Sequence, residues 1–365
     1  MAVGLPLKTT YANGDVYSAS DVNDTNGTIN AYVSTGKAAG VNKIINGDFG
    51  VWQRGTSFTT SVYCSDRWVA NFGSVTSPSY SRSTFTAGTA PVTGYEGTYY
   101  ISMSGTLSDA VNGYYQLDQR IEDVRTFAGQ TVTLSFWAKG SATGTISANI
   151  SQYFGIGGSS NVTVNATNIN ITTSWVRYST TLSFPSISGK TIGTGSYARM
   201  TISKLQGTAT GNQAIWGAAT FTGTLDVWGV QLEAGSTATA FQTATGTIQG
   251  ELAACQRYYF RQVANAAGNA YFGNGHARNT TTDDVGLLQA PVEMRVVPTS
   301  VDYSTLKLSD GATGIAITAL TIGAECNTIS FKLNVTVASG LTAYRPYDIA
   351  ANSSTAAYLG FSAEL

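Results

Sequence analysis

From Ile44 to Phe241 apolar and polar residues alternate with period two in a series of short runs. In TVTLSFWAKG (131–140), Val132, Leu134, Phe136 and Ala138 fall on one face, and Thr131, Thr133, Ser135 and Trp137 on the other. Such alternation, closed by Gly140, predicts a half-buried antiparallel strand. Residues 143–154, 159–172, 175–185, 197–205 and 223–235 repeat the logic, with turns at Gly155-Ile156-Gly157-Gly158, at Ser188-Gly189 and from Gly207 to Gly211. Many short strands with almost no Pro predict an all-β chain whose main body, 41–245, is a jelly-roll β-sandwich.

The pattern changes at both ends. Residues 1–40 are rich in turn formers, and Val22, Ile29 and Val33 recur there at helical spacing after Ser18 or Ser20. That stripe is too thin to hold a helix alone, so the segment is expected to be a short N-terminal anchoring arm or oligomerisation helix. At 246–262, Ile248, Leu252 and Cys255 keep helical spacing before the run Tyr258-Tyr259-Phe260, which predicts a linker helix passing into a strand. Further β segments at 285–303, 314–322, 328–339 and 356–365 predict a smaller C-terminal β-sandwich domain over 263–365. No repeat of fixed period is visible, which disfavours a solenoid, a propeller or a parallel β-helix.

Charge narrows the partners. Twenty Lys plus Arg against twenty-one Asp plus Glu leave a net charge of −1, so no basic field exists to attract nucleic acid. A surface so close to neutral suits a subunit partly hidden in a larger assembly. Cys64, Cys255 and Cys326 are odd in number and share no CxxC spacing, so they are expected to be buried thiols, with a Cys255–Cys326 disulfide as the alternative. The amino terminus has no continuous apolar run of signal-peptide length and no window is long and apolar enough to span a bilayer, so neither export by a leader nor membrane insertion is expected.

Little in the chain points to catalysis. His276 sits in GNGHARN, expected to be a polar loop, and one histidine excludes a histidine metal centre. There is no phosphate-cradling glycine motif. Asp66, Asp118, Glu122, Asp123, Asp226 and Glu233 are formal candidates for a glycosidase pair, but each also reads as a turn, strand-end or surface residue. Asp283-Asp284 is expected to be a solvated loop instead of a calcium corner. The remaining signal is aromatic. Trp137 lies opposite Leu134 and Phe136, and a ring on an outer sheet face offers a flat apolar surface to a sugar. The expected carbohydrate-contacting set is Trp137, Tyr153, Tyr114, Trp216 and Arg120.

The stretch IINGDFGVWQRGTSF followed by DRW (44–58 and 66–68) resembles a recurrent module of tailed-bacteriophage tail and fibre proteins. The likeness continues through QRIEDVRTFAGQTVTLSFWAKG (119–140), TTSWVRYSTTLSF (172–184) and DVWGVQLEAGSTATAFQ (226–242), and CQRYYFR, APVEMRVVPT and the final AAYLGFSAEL look like the end of such proteins. The module is similar in turn to carbohydrate-binding modules of the family 4/9 jelly-roll kind. In those modules an N-G-x-F-E opening and a late acid hold a structural calcium ion. Asn46, Gly47, Asp48 and Phe49 match the opening and Asp226 matches the late acid, while Gly50 replaces the family's Glu. The resemblance implies a structural Ca²⁺ at Asn46, Asp48 and Asp226. It also implies a non-enzymatic virion protein, a tail-fibre, tail-tip or surface subunit that is a homotrimer, docks on other virion proteins through its arm and meets host cell-surface glycan. A purely architectural tail or capsid decoration protein is the alternative reading, and a polysaccharide depolymerase a further one.

Overall fold

The computed structural model describes residues 41–365 apart from Thr210 and 266–268, and the side chains of 284–287 are not described. The expected arm, with Val22, Ile29 and Val33, lies outside the described residues. The first unit is built from β1 (Ser57–Phe58), β2 (Trp68–Gly73), β3 (Val75–Thr84), β4 (Tyr99–Leu107), β5 (Tyr114–Glu122), β6 (Thr131–Gly140), β7 (Gly144–Tyr153), β8 (Val162–Thr163), β9 (Thr167–Ile171), β10 (Val176–Ser183), β11 (Tyr197–Gln206) and β12 (Leu225–Ala234). They form two sheets, one ordered β1-β3-β4-β12-β6-β10 and the other β2-β5-β11-β7-β8, with β9 also pairing with β7. This is the jelly-roll sandwich that the alternation predicts.

The apolar sides of the two sheets meet as one core. Val132, Leu134, Phe136 and Ala138 of β6 are buried together with Ala148 and Ile150 of β7 and Met200 and Ile202 of β11. Each large side chain removed from water there stabilises the fold by roughly 1.5–3 kcal/mol. Their polar neighbours in sequence necessarily point outward, and this is what arms the two outer faces of the sandwich.

A short helix, α1 (Asn212–Trp216), interrupts the β11–β12 connection, and α2 (Ile248–Gln256) follows β12. Thr247 caps α2 by accepting a hydrogen bond from the Gly250 N–H, at 3.1 Å. The second unit contains β13 (Tyr259–Val263), β14 (Tyr271–Ala277), β15 (Thr282–Gln289), β16 (Ser300–Ser304), β17 (Leu306–Ser309), β18 (Gly314–Ile322), β19 (Ser330–Val337), β20 (Pro346–Ala351) and β21 (Tyr358–Ser362). Six of these close into a barrel, β14-β15-β19-β18-β17-β20, beside a three-stranded sheet β13-β21-β16. The smaller β unit expected at this end thus closes its main sheet on itself, which removes the exposed edges an open sheet would leave.

Two local expectations fail here. His276 is not in a loop but in β14, opposite Pro346, and Asp283 is 1% exposed in β15, opposite Val335. Closure of the barrel turns what reads as polar loop sequence into paired strand. All three cysteines are free, and Cys326 is only half-buried. Among the described residues no helix is long and apolar enough to cross a membrane.

The units are joined by a polar seam. Glu364 pairs with Arg54 at 3.2 Å and with Arg67. Arg67 lies 3.4 Å over the Tyr258 ring and Arg54 3.5 Å over that of Tyr259. Tyr258 also donates to Glu122 at 2.8 Å.

Candidate functional site

Strand parity builds the outer face of the second sheet. On β5 it presents Gln116, Asp118 and Arg120, on β11 Arg199, Thr201 and Ser203, and on β7 Ser147, Asn149, Ser151 and Tyr153, while Leu117, Met200, Ile202, Ala148 and Ile150 take the core side. Register then sets Thr201 directly between Asp118 and Asn149, and Arg199 between Arg120 and Ser151.

A groove of about 360 Å³ opens on this face. Its lining is five carboxamides (Asn71, Asn112, Gln116, Gln206 and Asn212), three aromatic rings (Tyr114, Tyr153 and Trp216) and Arg199. The Arg199 guanidinium lies 4.8 Å from the Tyr153 ring centre and 5.0 Å from that of Trp216. Its Nη1 meets Asp118 Oδ2 at 3.5 Å, and Asn71 Nδ2 donates to the same oxygen at 2.8 Å. Burial raises the Tyr153 pKa, so that hydroxyl keeps its proton throughout the neutral range.

The sheet face that carries the groove is unusual in what it leaves unmade. Asp118 Oδ1, Asn149 Oδ1, Thr201 Oγ1 and both Nε and Nη2 of Arg199 are buried without a hydrogen-bond partner. Each such atom costs roughly 1–3 kcal/mol relative to a satisfied one. Carboxamide donors and acceptors and the Arg199 donors, beside aromatic rings in one groove, match a ligand that carries polar groups on an apolar frame.

The candidate residues divide between this site and others. Tyr114, Tyr153 and Trp216 come together in the groove. Arg120 does not line it; Arg120 stacks 5.1 Å over Tyr197 and donates to the Leu365 carbonyl. Trp137 is on the face its parity predicts but is not exposed, retaining 9% of its surface. The first sheet's outer face is covered by the segment after β12. Phe241 packs edge-on to Trp137 at 5.8 Å, Trp228 packs beside it at 5.5 Å, and Arg177 lies 4.7 Å over its ring. Gly229, at φ +63, makes the bulge that admits this ring, since a Cβ there would meet Trp137 at 2.7 Å.

Asn46, Asp48 and Asp226 are each engaged by other groups of the protein. The Asn46 side chain is consumed within the protein, donating to Val51 O, Ser65 Oγ and Asp66 O and accepting from Val51 N. Asp48 accepts from the Tyr95 hydroxyl at 2.7 Å. Asp226 is held by Ser102 and by Lys139 at 3.5 Å. Gly47 bonds to Val230, further along β12 than Asp226 by four residues, which at strand rise is on the order of 10 Å. The opening forms a structural knot, in which Glu251 of α2 also accepts from Asn46 N at 2.7 Å. No group of three metal-ligating acidic, Cys or His residues occurs among the described residues.

The formal carboxylate candidates each have a partner of their own. Asp66 accepts from Gln53 N and Nε2 and is buried, which raises its pKa to about 6. Glu122 faces Arg257 and Tyr258, Asp123 faces Arg125, and Glu233 ties down Thr239. Asp118 is held by Arg199 and Asn71, and no carboxylate lines the groove. The residues that sequence reasoning did not single out are Arg199, Thr201 and Asn149. Their signal was present in YARMTISKL, where Arg199, Thr201 and Ser203 alternate with Ala198, Met200 and Ile202.

No family model and no curated protein matches the chain. Among solved structures it is similar to the enzymatically active domain of tailspike protein 4 of bacteriophage CBA120, at 15% identity and a TM-score of 0.30 over 53% of this chain and 21% of that one. It is also similar to a family 4 carbohydrate-binding module, at 18% identity and a TM-score of 0.26 over 43% and 87% of the two chains. A third likeness is to the CBM22-1 xylan-binding domain of Paenibacillus barcinonensis Xyn10C, at 17% identity and a TM-score of 0.28 over 50% and 94%. The chain therefore spans about a fifth of the length of the tailspike structure and most of each binding module. The jelly-roll reading of residues 41–245 rests on the sheet order and register of the chain itself.

Proposed function

We propose that the chain is a non-enzymatic carbohydrate-binding protein that holds a sugar in the groove between β2, β5, β11 and β7. The observation that carries this reading is the unpaired Arg199 edge between Tyr153 and Trp216, in a groove lined by carboxamides. A pyranose has an apolar C–H face to lie against a ring and hydroxyls that both donate and accept. Its hydroxyls would exchange hydrogen bonds with the lining carboxamides and accept from Arg199. With net gains of roughly 0.5–1.5 kcal/mol per hydrogen bond, one groove binds weakly. Many copies on one particle turn weak contacts into firm adhesion. The groove's lack of a lining carboxylate favours binding over hydrolysis.

The phage-like run at 44–68 favours a particle protein of a tailed phage, trimeric, seated on its virion neighbours by residues 1–40 and engaged in host attachment. The test is calorimetric titration of the full chain with host surface polysaccharide, beside Trp216→Ala and Tyr153→Ala variants and an assay for reducing ends. Saturable binding that both variants lose, without new reducing ends, is expected. Absence of binding by the wild-type protein would overturn the reading in favour of an architectural role.

A further inference from the structure

Resting on the groove as a sugar site, we infer that its ligand is a carboxylated sugar, gripped by the unpaired edge of Arg199. Arg199 is the one formally charged residue among those lining the groove, and it is nine-tenths buried. Asp118 engages only Nη1, at 3.5 Å, which leaves the Nε–Nη2 edge without a partner. Two parallel N–H donors at that edge match the two oxygens of a carboxylate. A neutral sugar needs no such fork, because the five carboxamides already offer donors and acceptors.

The neighbouring charge supports the same ligand. Arg120 stands directly across from Arg199 in the β5–β11 register. Like charges opposite one another on one face are destabilising. Asp118, the acid beside Arg199, reaches it at 3.5 Å, so an incoming carboxylate would meet a guanidinium that is not fully paired. The flanking rings keep water from the guanidinium, which strengthens its pairing with an anion. Those rings also cover Nε and Nη2, so the ligand reaches them only when Trp216, half-exposed at the end of α1, shifts aside. Binding should therefore change tryptophan fluorescence.

The full chain would be screened on an array of neutral, uronate-bearing and sialate-bearing oligosaccharides. The strongest acidic binder would then be titrated before and after chemical reduction of its carboxyl group. Expected results are binding confined to acidic members, a loss of about tenfold or more on reduction, and weakening in high salt. Arg199→Gln, its fold checked by circular dichroism, should abolish the acid preference. Should that variant fail to fold, Arg199→Lys, which keeps the charge but not the fork, should bind the acidic sugar less tightly than wild type. Neutral members binding as well as acidic ones would overturn the inference while leaving the groove as a sugar site. No array member binding would overturn both.

Discussion

The two outer faces of the sandwich have opposite fates. Both are made by the same alternation, with polar side chains outward and apolar ones inward. On the first sheet the chain returns after β12 and lays Phe241 over Trp137 and Trp228, fastened by Glu233 to Thr239 and by Arg177 to the Thr239 carbonyl at 2.6 Å. That face becomes a second small core. On the other sheet the row Asp118, Thr201 and Asn149 is buried as well, but on the same face a groove lined by Gln116, Tyr153, Arg199 and Trp216 stays open. One face has its rings sealed under Phe241, whereas the other keeps its rings half-open around a groove; both hold buried polar atoms without a partner, Arg177 Nε and Trp228 Nε1 on the first and Arg199 Nε and Nη2 on the second.

The largest effect should come from the sealed face. Trp228→Ala would open a cavity beneath Phe241 and lower unfolding free energy by about 3–5 kcal/mol in denaturant titration, with sugar affinity of the folded fraction unchanged. A stability loss below 1 kcal/mol would show that this face is not a core. Next is Lys204 on β11, fully buried, whose Nζ reaches across to Gly105 O at 2.8 Å. Burial lowers its pKa from 10.5 to about 8, so the charged form is penalised only in the folded state. The penalty is complete below pH 8 and is relieved as pH rises through 10.5. Lys204→Met should thus be more stable than wild type by about 2 kcal/mol at neutral pH, and the gap should shrink toward pH 10.5. A gap independent of pH would assign the gain to packing instead.

The open groove should respond in affinity more than in stability. Trp216→Ala should weaken sugar binding about tenfold while moving the unfolding midpoint little, because the ring is half-exposed on a short helix. Thr201→Val separates the buried row from the groove. Replacing the unpaired, fully buried hydroxyl by a methyl group should raise stability by about 1 kcal/mol with affinity unchanged, measured by thermal unfolding and calorimetry on the same sample. Lower stability in that variant would mean the hydroxyl is satisfied in solution.

Much of this was legible in the residues. Period-two runs announced the strands, and Trp137 lies on the side its neighbours dictate. Tyr114, Tyr153 and Trp216 were named from the sequence as candidates for sugar contact, and the groove gathers them. The match of Asn46 and Asp48 to a metal-binding opening was legible, whereas the way Asn46 closes its own loop and receives Glu251 from a helix two hundred residues away was not. Arg199 was readable as an outward residue of β11, but nothing in its sequence neighbourhood reveals the rings on either side of it.

The sequence by itself determined the strands from β6 to β12 and to which side their residues point, because parity is a local property of an extended backbone. Only the tertiary structure decided which of the two outward faces is sealed, since coverage depends on where a distant segment returns. The same distinction separates the closed barrel from an open sheet at the carboxy end. It also explains the unpaired polar atoms, for a polar side chain costs nothing until register and packing remove its water without supplying a partner.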